Sequence, residues 1–123
     1  MPTHTYGTFT KALAAGKLEP AYYFLGAENV LKDEATTALL EKVLDPGLRD
    51  FNLDIRSAQQ LEPEDVLSLC TTLPMMADRR VVVVRDVEAW KRKTRGKKAV
   101  LEYLQKPIPE TLLVLVQGAA SEA

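Results

Sequence analysis

The chain has little cysteine or histidine: 123 residues hold one of each, Cys70 and His4. A single thiol excludes an intrachain disulfide and fits a reducing compartment such as the cytoplasm. One Cys and one His leave a Cys/His zinc site short of ligands. With His4 as the sole imidazole, in a terminus expected to fray, no Ser/His/Asp or Cys/His catalytic set can be built. No apolar run approaches the roughly 20 residues that span a bilayer. The opening segment MPTHTYGTFTKALAAG lacks the apolar core of a signal peptide. Neither charge sign dominates: 16 Lys and Arg face 17 Asp and Glu, a formal net charge of -1. There is thus no chain-wide signal for nucleic acid or membrane. Internal repeats and low-complexity tracts are also missing, and no acid–base carboxylate pair stands out from the many surface acids.

What is present is the composition of an ordinary globular domain, 46% hydrophobic and 27% charged. The length suits one domain able to bury a substantial core. Phe9 to Ala15 reads as a short helix with Phe9 and Leu13 on one face and Gly16 as C-cap. Ala21 to Leu25 is a continuous apolar run, the mark of a parallel strand covered on both faces. A helix follows from about Asn29 to Leu44, with Leu31, Ala35, Ala38, Leu39, Leu40 and Val43 expected inward, Asp33 and Glu34 near its positive end, and Asp45-Pro46-Gly47 as its stop. Asn52 to Ser57 alternates, with Leu53 and Ile55 apolar, and suits a half-exposed strand near a sheet edge.

Pro63 opens a helix to about Leu73, with Val66, Leu67, Cys70 and Leu73 expected inward. Arg80 to Arg85 encloses four consecutive valines, a strand with a buried centre. A helix from about Lys97 to Gln105 is expected to turn Val100, Leu101 and Leu104 inward, and Thr111 to Gln117 is the fourth strand. Strands alternating with helices imply an α/β fold: a three-layer parallel sheet of P-loop type, right-handed crossovers, and helices on both faces.

Four stretches are candidates for chemistry. Gly26 to Asp33 follows the first strand with the outline of a phosphate loop, G-x-x-x-x-G-K-[ST]. Leu31 stands where the second Gly belongs and Asp33 where the Mg²⁺-binding hydroxyl belongs; Lys32 alone matches. Glu28, Asp33 and Glu34 add carboxylates where a triphosphate would need positive field. The plainer reading is a strand–turn–helix without ligand. The valine strand could be an Mg²⁺-site strand, but it ends Arg85-Asp86, one acid beside a cation, which suits a turn better than hydrolysis.

Lys91, Arg92, Lys93, Arg95, Lys97 and Lys98 fall within eight residues beside Trp90, with no interleaved aromatic. They could meet phosphates or simply form a solvated loop. In Leu73-Pro74-Met75-Met76 two adjacent methionines cannot both easily face inward. Met is polarizable and adaptable, suited to a partner's apolar pocket, although both could pack as core filler. Cys70 is expected to fill core and Trp90 to cover a strand end.

Together these stretches resemble a known family, the delta subunit of bacterial DNA polymerase III. The resemblance runs through FTKALAAGKLEPAYYFLGAENVLKDEAT, DFNLDIRSA, LCTTLPMMADRRVVVVRDVEAW and LEYLQKPIPETLLVLVQG, with Asp50-Phe51-Asn52-Leu53 the most specific short match. It implies an AAA+-type domain that neither binds nor hydrolyses ATP and needs no cofactor. It also implies binding to the ring-shaped sliding clamp. Two adjacent apolar residues, by position Met75 and Met76, would enter a clamp pocket, with Leu73 and Pro74 shaping the wedge.

Other clamp-loader subunits would be partners, DNA would be met through the assembly, and no membrane would be involved. The implied sheet order is second, third, fourth, first strand. It further implies a fragment of an N-terminal domain, residues 1–123, continued by a fifth strand, a lid and a collar domain; the Ala21 to Leu25 edge would otherwise lie uncovered, so either the chain is such a fragment or another chain or segment covers that edge. Two other functions remain open: a P-loop hydrolase or kinase with a divergent loop, and a nucleic-acid binder using residues 91–98.

Overall fold

The computed structural model describes residues 5–26 and 28–118. His4 and the small polar tail after Gly118 lie outside the described residues. Helices and strands alternate along the chain: α1 Tyr6–Ala14, β1 Ala21–Phe24, α2 Asn29–Val43, α3 Arg49–Asn52, β2 Leu53–Ser57, α4 Pro63–Cys70, β3 Arg80–Arg85, a 3₁₀ turn Val87–Trp90, α5 Thr94–Gln105 and β4 Thr111–Val116.

The four strands form one parallel sheet in the order β1-β4-β3-β2. β3 and β4 are central because their residues are apolar on both faces. Val81, Val83, Leu112, Val114 and Val116 enter one core with Phe9, Leu13, Leu39 and Leu40 of α1 and α2. Val82, Val84, Leu113 and Leu115 enter the other with Val66, Cys70, Trp90 and Val100, against α4 and α5. This is the three-layer arrangement expected of a parallel sheet buried on both faces. Phe9 stacks edge-on against Tyr22 and Phe24, fixing α1 over β1.

The helix ends follow from local chemistry. After α1, Gly16 takes φ 78, its N–H reaching Leu13 O while that of Lys17 reaches Ala12 O. That pair of bonds satisfies the last carbonyls and needs a residue tolerant of left-handed backbone. α4 starts on Pro63, with Glu62 and Asp65 exchanging side-chain bonds with each other's N–H groups. α5 lies close on α4: a Cβ added to Gly96 would meet Pro63 Cγ at 2.8 Å and Glu64 Oε1 at 2.8 Å.

Several residues expected inward are exposed. Leu31 and Leu101 lie on solvent faces of α2 and α5, and their neighbours Lys32 and Val100 are the buried ones. α4 stops at Cys70, three residues before Leu73, so Leu73 never enters a helical inward position. On the β2 edge, Ile55 is exposed. Its neighbour Asp54 turns to the other face and pairs with buried Arg80 and with Arg56. α5 begins three residues earlier than the apolar periodicity suggests, at Thr94. No acid falls in the first turn of α2, since Asp33 and Glu34 sit in its second. No described helix is long and apolar enough to cross a membrane.

Candidate functional site

In a parallel α/β sheet, ligand sites form beyond the carboxyl ends of the strands, and the phosphate-loop remnant occupies that edge. Gly26 follows β1 with φ 119, conformationally open only to glycine. Its N–H, a group that would face phosphate in a working loop, donates to Gln117 Oε1 at 3.2 Å. Lys32, only 5% exposed, folds back from α2 onto the strand ends. Its ammonium donates to Gly26 O at 2.8 Å, Gln117 O at 2.6 Å and Gly118 O at 3.0 Å. An ammonium has three N–H groups, and all three are engaged. Carbonyls just beyond the ends of β1 and β4 thus hold the cation.

Leu31 and Asp33 flank this lysine without joining it. Asp33 lines a groove with Tyr6, Glu34, Thr37, Ala38 and Glu41, on the α1 side of α2. At the end of β3, Asp86 adopts left-handed backbone, φ 59, and accepts a bond from Ser57 Oγ at 3.3 Å. Among the described residues no group of three His, Cys, Asp or Glu side chains is placed to hold a metal.

The basic stretch runs from just after the 3₁₀ turn into the start of α5, and it is partly engaged. Lys93 pairs with Glu62 at 2.7 Å, and Lys97 Nζ donates to Lys91 O at 3.0 Å. Lys91, Arg92, Arg95 and Lys98 are exposed. Trp90 is buried in the second core with its indole N–H on Leu61 O at 2.8 Å, so it offers no face for stacking bases.

The opposite edge of the sheet carries the Leu73–Met76 loop, between the end of α4 and the start of β3. Both methionines face out: Leu73 is 76%, Met75 53% and Met76 83% exposed, with Pro74 half-buried. Three large apolar side chains in four residues, left in solvent, form a patch suited to a partner surface. The patch is built on an ordered support. Thr71 N–H caps α4 on Leu67 O, and Thr111 Oγ1 donates to Cys70 O at 2.7 Å, tying the helix end to β4.

Asn52, fully buried, takes Met75 N–H on Oδ1 at 2.6 Å and returns a bond from Nδ2 to Met75 O at 2.9 Å. Neighbouring Phe51 is exposed. The sequence reading gives Asn52 no such role. The only signal is its place in the distinctive Asp50–Leu53 run.

Burial shapes the two titratable groups behind this loop. Desolvation pushes the Cys70 thiol up to about 11, against smaller opposing effects from a Tyr103 hydrogen bond and the Arg80 charge. Desolvation likewise raises Tyr103 to about 12, partly offset by its hydrogen bond with the Ile108 backbone. Cys70 is therefore a core thiol, not a nucleophile.

The family model described as "DNA polymerase III, delta subunit" matches residues 22–121. The chain belongs to the DNA polymerase III delta subunit family. Bacillus subtilis DNA polymerase III subunit delta is 30% identical over 112 residues, covering 86% of this chain and 32% of that protein. The solved structure of the Bacillus subtilis DNA clamp loader delta protein superposes with a TM-score of 0.84 at 26% identity, over 92% of this chain and 35% of that one. A gamma subunit-related protein of DNA polymerase III from Thermotoga maritima shares the fold, with a TM-score of 0.66 at 16% identity, over 89% of this chain and 38% of that one. The chain thus spans about a third of the length of these delta-family relatives.

Proposed function

We propose that this delta-family domain binds the ring-shaped sliding clamp and helps open it for loading onto DNA, with no nucleotide hydrolysis of its own. The observation that carries the reading is the exposed Leu73-Pro74-Met75-Met76 loop, held on an ordered edge of the sheet. In this reading Met75 and Met76 enter an apolar clamp pocket, and Leu73 and Pro74 shape the wedge. The saturated hydrogen bonding of Lys32 supports a domain that leaves ATP to neighbouring clamp-loader subunits.

Opening follows from differential binding. A surface that prefers the opened or strained ring shifts the ring towards opening, by no more than that difference in affinity. Any DNA contact within the assembly falls mainly to Lys91, Arg92, Arg95 and Lys98, the exposed basic residues of the stretch other than Lys93, which pairs with Glu62.

The test is capture of the sliding clamp from the same organism, followed by surface plasmon resonance on Met75→Ala/Met76→Ala. Each methionine contributes roughly 1.5–3 kcal/mol on full burial. The expected loss in affinity is therefore roughly tenfold or more, with the fold intact. Unchanged clamp affinity in the double variant refutes the reading.

A further inference from the structure

Among the loop residues, Met76 has the least probable backbone, with φ 55. An L residue with an unbranched side chain reaches this left-handed region only at a cost, and something must hold it there. The preceding residue shows what does. Asn52 is the last residue of α3 and fully buried. Its carboxamide meets both backbone polar groups of Met75: it accepts from the N–H at 2.6 Å and donates to the carbonyl at 2.9 Å. The same Nδ2 also reaches Leu48 O at 3.3 Å, orienting the amide from its own side of the contact. A side-chain amide thus pairs with Met75 as a neighbouring strand would. The hold crosses 23 positions of sequence and fixes the residue immediately before Met76.

We propose that Asn52 is the positioning residue of the clamp-contact loop: its amide clasps the Met75 backbone so that Met75 and Met76 are presented in one preformed arrangement. The inference rests on the reading of this loop as the clamp contact, and it assigns a role to a side chain that is wholly buried. Asn52 acts through the loop backbone. Its removal lowers affinity by letting the loop populate other arrangements, and apparent affinity falls with the fraction that remains competent.

The experiment is a double-mutant cycle on clamp affinity, measured by surface plasmon resonance with the full chain and the isolated clamp. Asn52→Ala is made alone and in the Met75→Ala/Met76→Ala background, with folding of each checked by circular dichroism. The expected result is a loss of about tenfold for Asn52→Ala alone, corresponding to a competent fraction near a tenth, and almost no further loss once the methionines are gone. If the methionine pair weakens binding but Asn52→Ala does not, the positioning role is wrong while the clamp reading stands. Equal losses from Asn52→Ala in both backgrounds also overturn it, since the effect then bypasses the methionines. If the methionine pair has no effect, the clamp reading itself fails and takes this role with it.

Should Asn52→Ala not fold, hydrogen exchange on the unaltered chain decides. The Met75 amide, donated to Asn52, is expected to be protected above its neighbours in the loop. Exchange at the rate of those neighbours contradicts the clasp.

Discussion

The two ends of the sheet are built in opposite ways. At the carboxyl edge of the strands, the usual ligand edge of an α/β fold, the two polar groups that a phosphate loop would offer are satisfied by the chain itself. Gly26 N–H is bound by Gln117, and the Lys32 ammonium by three carbonyls. At the amino edge the chain satisfies its backbone and leaves side chains over. Asn52 secures Met75, while Leu73, Met75 and Met76 stay in solvent. β3, six residues from Arg80 to Arg85, separates the two edges by about 20 Å. One scaffold thus supports a closed polar site at one end and an open apolar one at the other. Hydrogen-bond saturation and apolar exposure, more than motif spelling, mark which end can work.

Lys32→Met has the largest expected effect on stability. It removes three charge-assisted bonds and leaves three carbonyls facing one another, a loss of about 2–4 kcal/mol in urea unfolding. Clamp affinity of the folded chain should not change, because the proposed contact lies at the other end. A loss of clamp binding at full folding would join the two ends functionally and undo the separation.

Alkaline pH gives the next effect. Cys70 and Tyr103 both have raised values in the folded state, so their stability contribution is complete below the ordinary values and is lost as pH climbs through the folded ones. For Cys70 the window runs from 9.0 to about 11. The linked loss is about 3 kcal/mol. Cys70→Ala should flatten the decline between those values in pH-dependent urea midpoints. An unchanged slope would show that the thiol is not desolvated behind the loop.

Smaller still is Met76→Gly. Glycine accepts φ 55 without the side-chain penalty, so stability should rise by about 1 kcal/mol or less while clamp affinity falls with the lost side chain. Opposite signs in thermal unfolding and in clamp binding would sharpen the view that the loop is strained for presentation. Smallest is charge reversal at Arg92 and Arg95. Both are exposed, and stability should move by no more than about 0.5 kcal/mol.

Much of the fold is legible in the sequence because binary patterning is strong where both faces are buried. Val81–Val84 and Leu112–Val116 could hardly be anything but central strands, and β3 runs from Arg80 to Arg85 as its residues suggest. The edges are less legible. The alternation of Leu53 and Ile55 suits a half-exposed strand but does not separate the two residues: Leu53 packs against the first core, and Ile55 is exposed. Helical spacing alone favours Leu31 over Lys32 as the buried residue of α2. Lysine wins because the carbonyls of Gly26, Gln117 and Gly118, remote in sequence, converge on its ammonium. The methionine pair stands out in sequence because both cannot easily pack inward. The Asn52 clasp does not, because it depends on a contact between segments that only the folded sheet brings together.

The proposed working surface is the Leu73–Met76 edge, while the edge around Lys32 is closed by its own carbonyls. Calorimetric titration of the unaltered chain with ATP–Mg²⁺ and, separately, with the sliding clamp distinguishes the two edges. Heat of binding is expected with the clamp and none with ATP–Mg²⁺. Tight ATP–Mg²⁺ binding abolished by Lys32→Met, with no response to the clamp, would contradict this expectation.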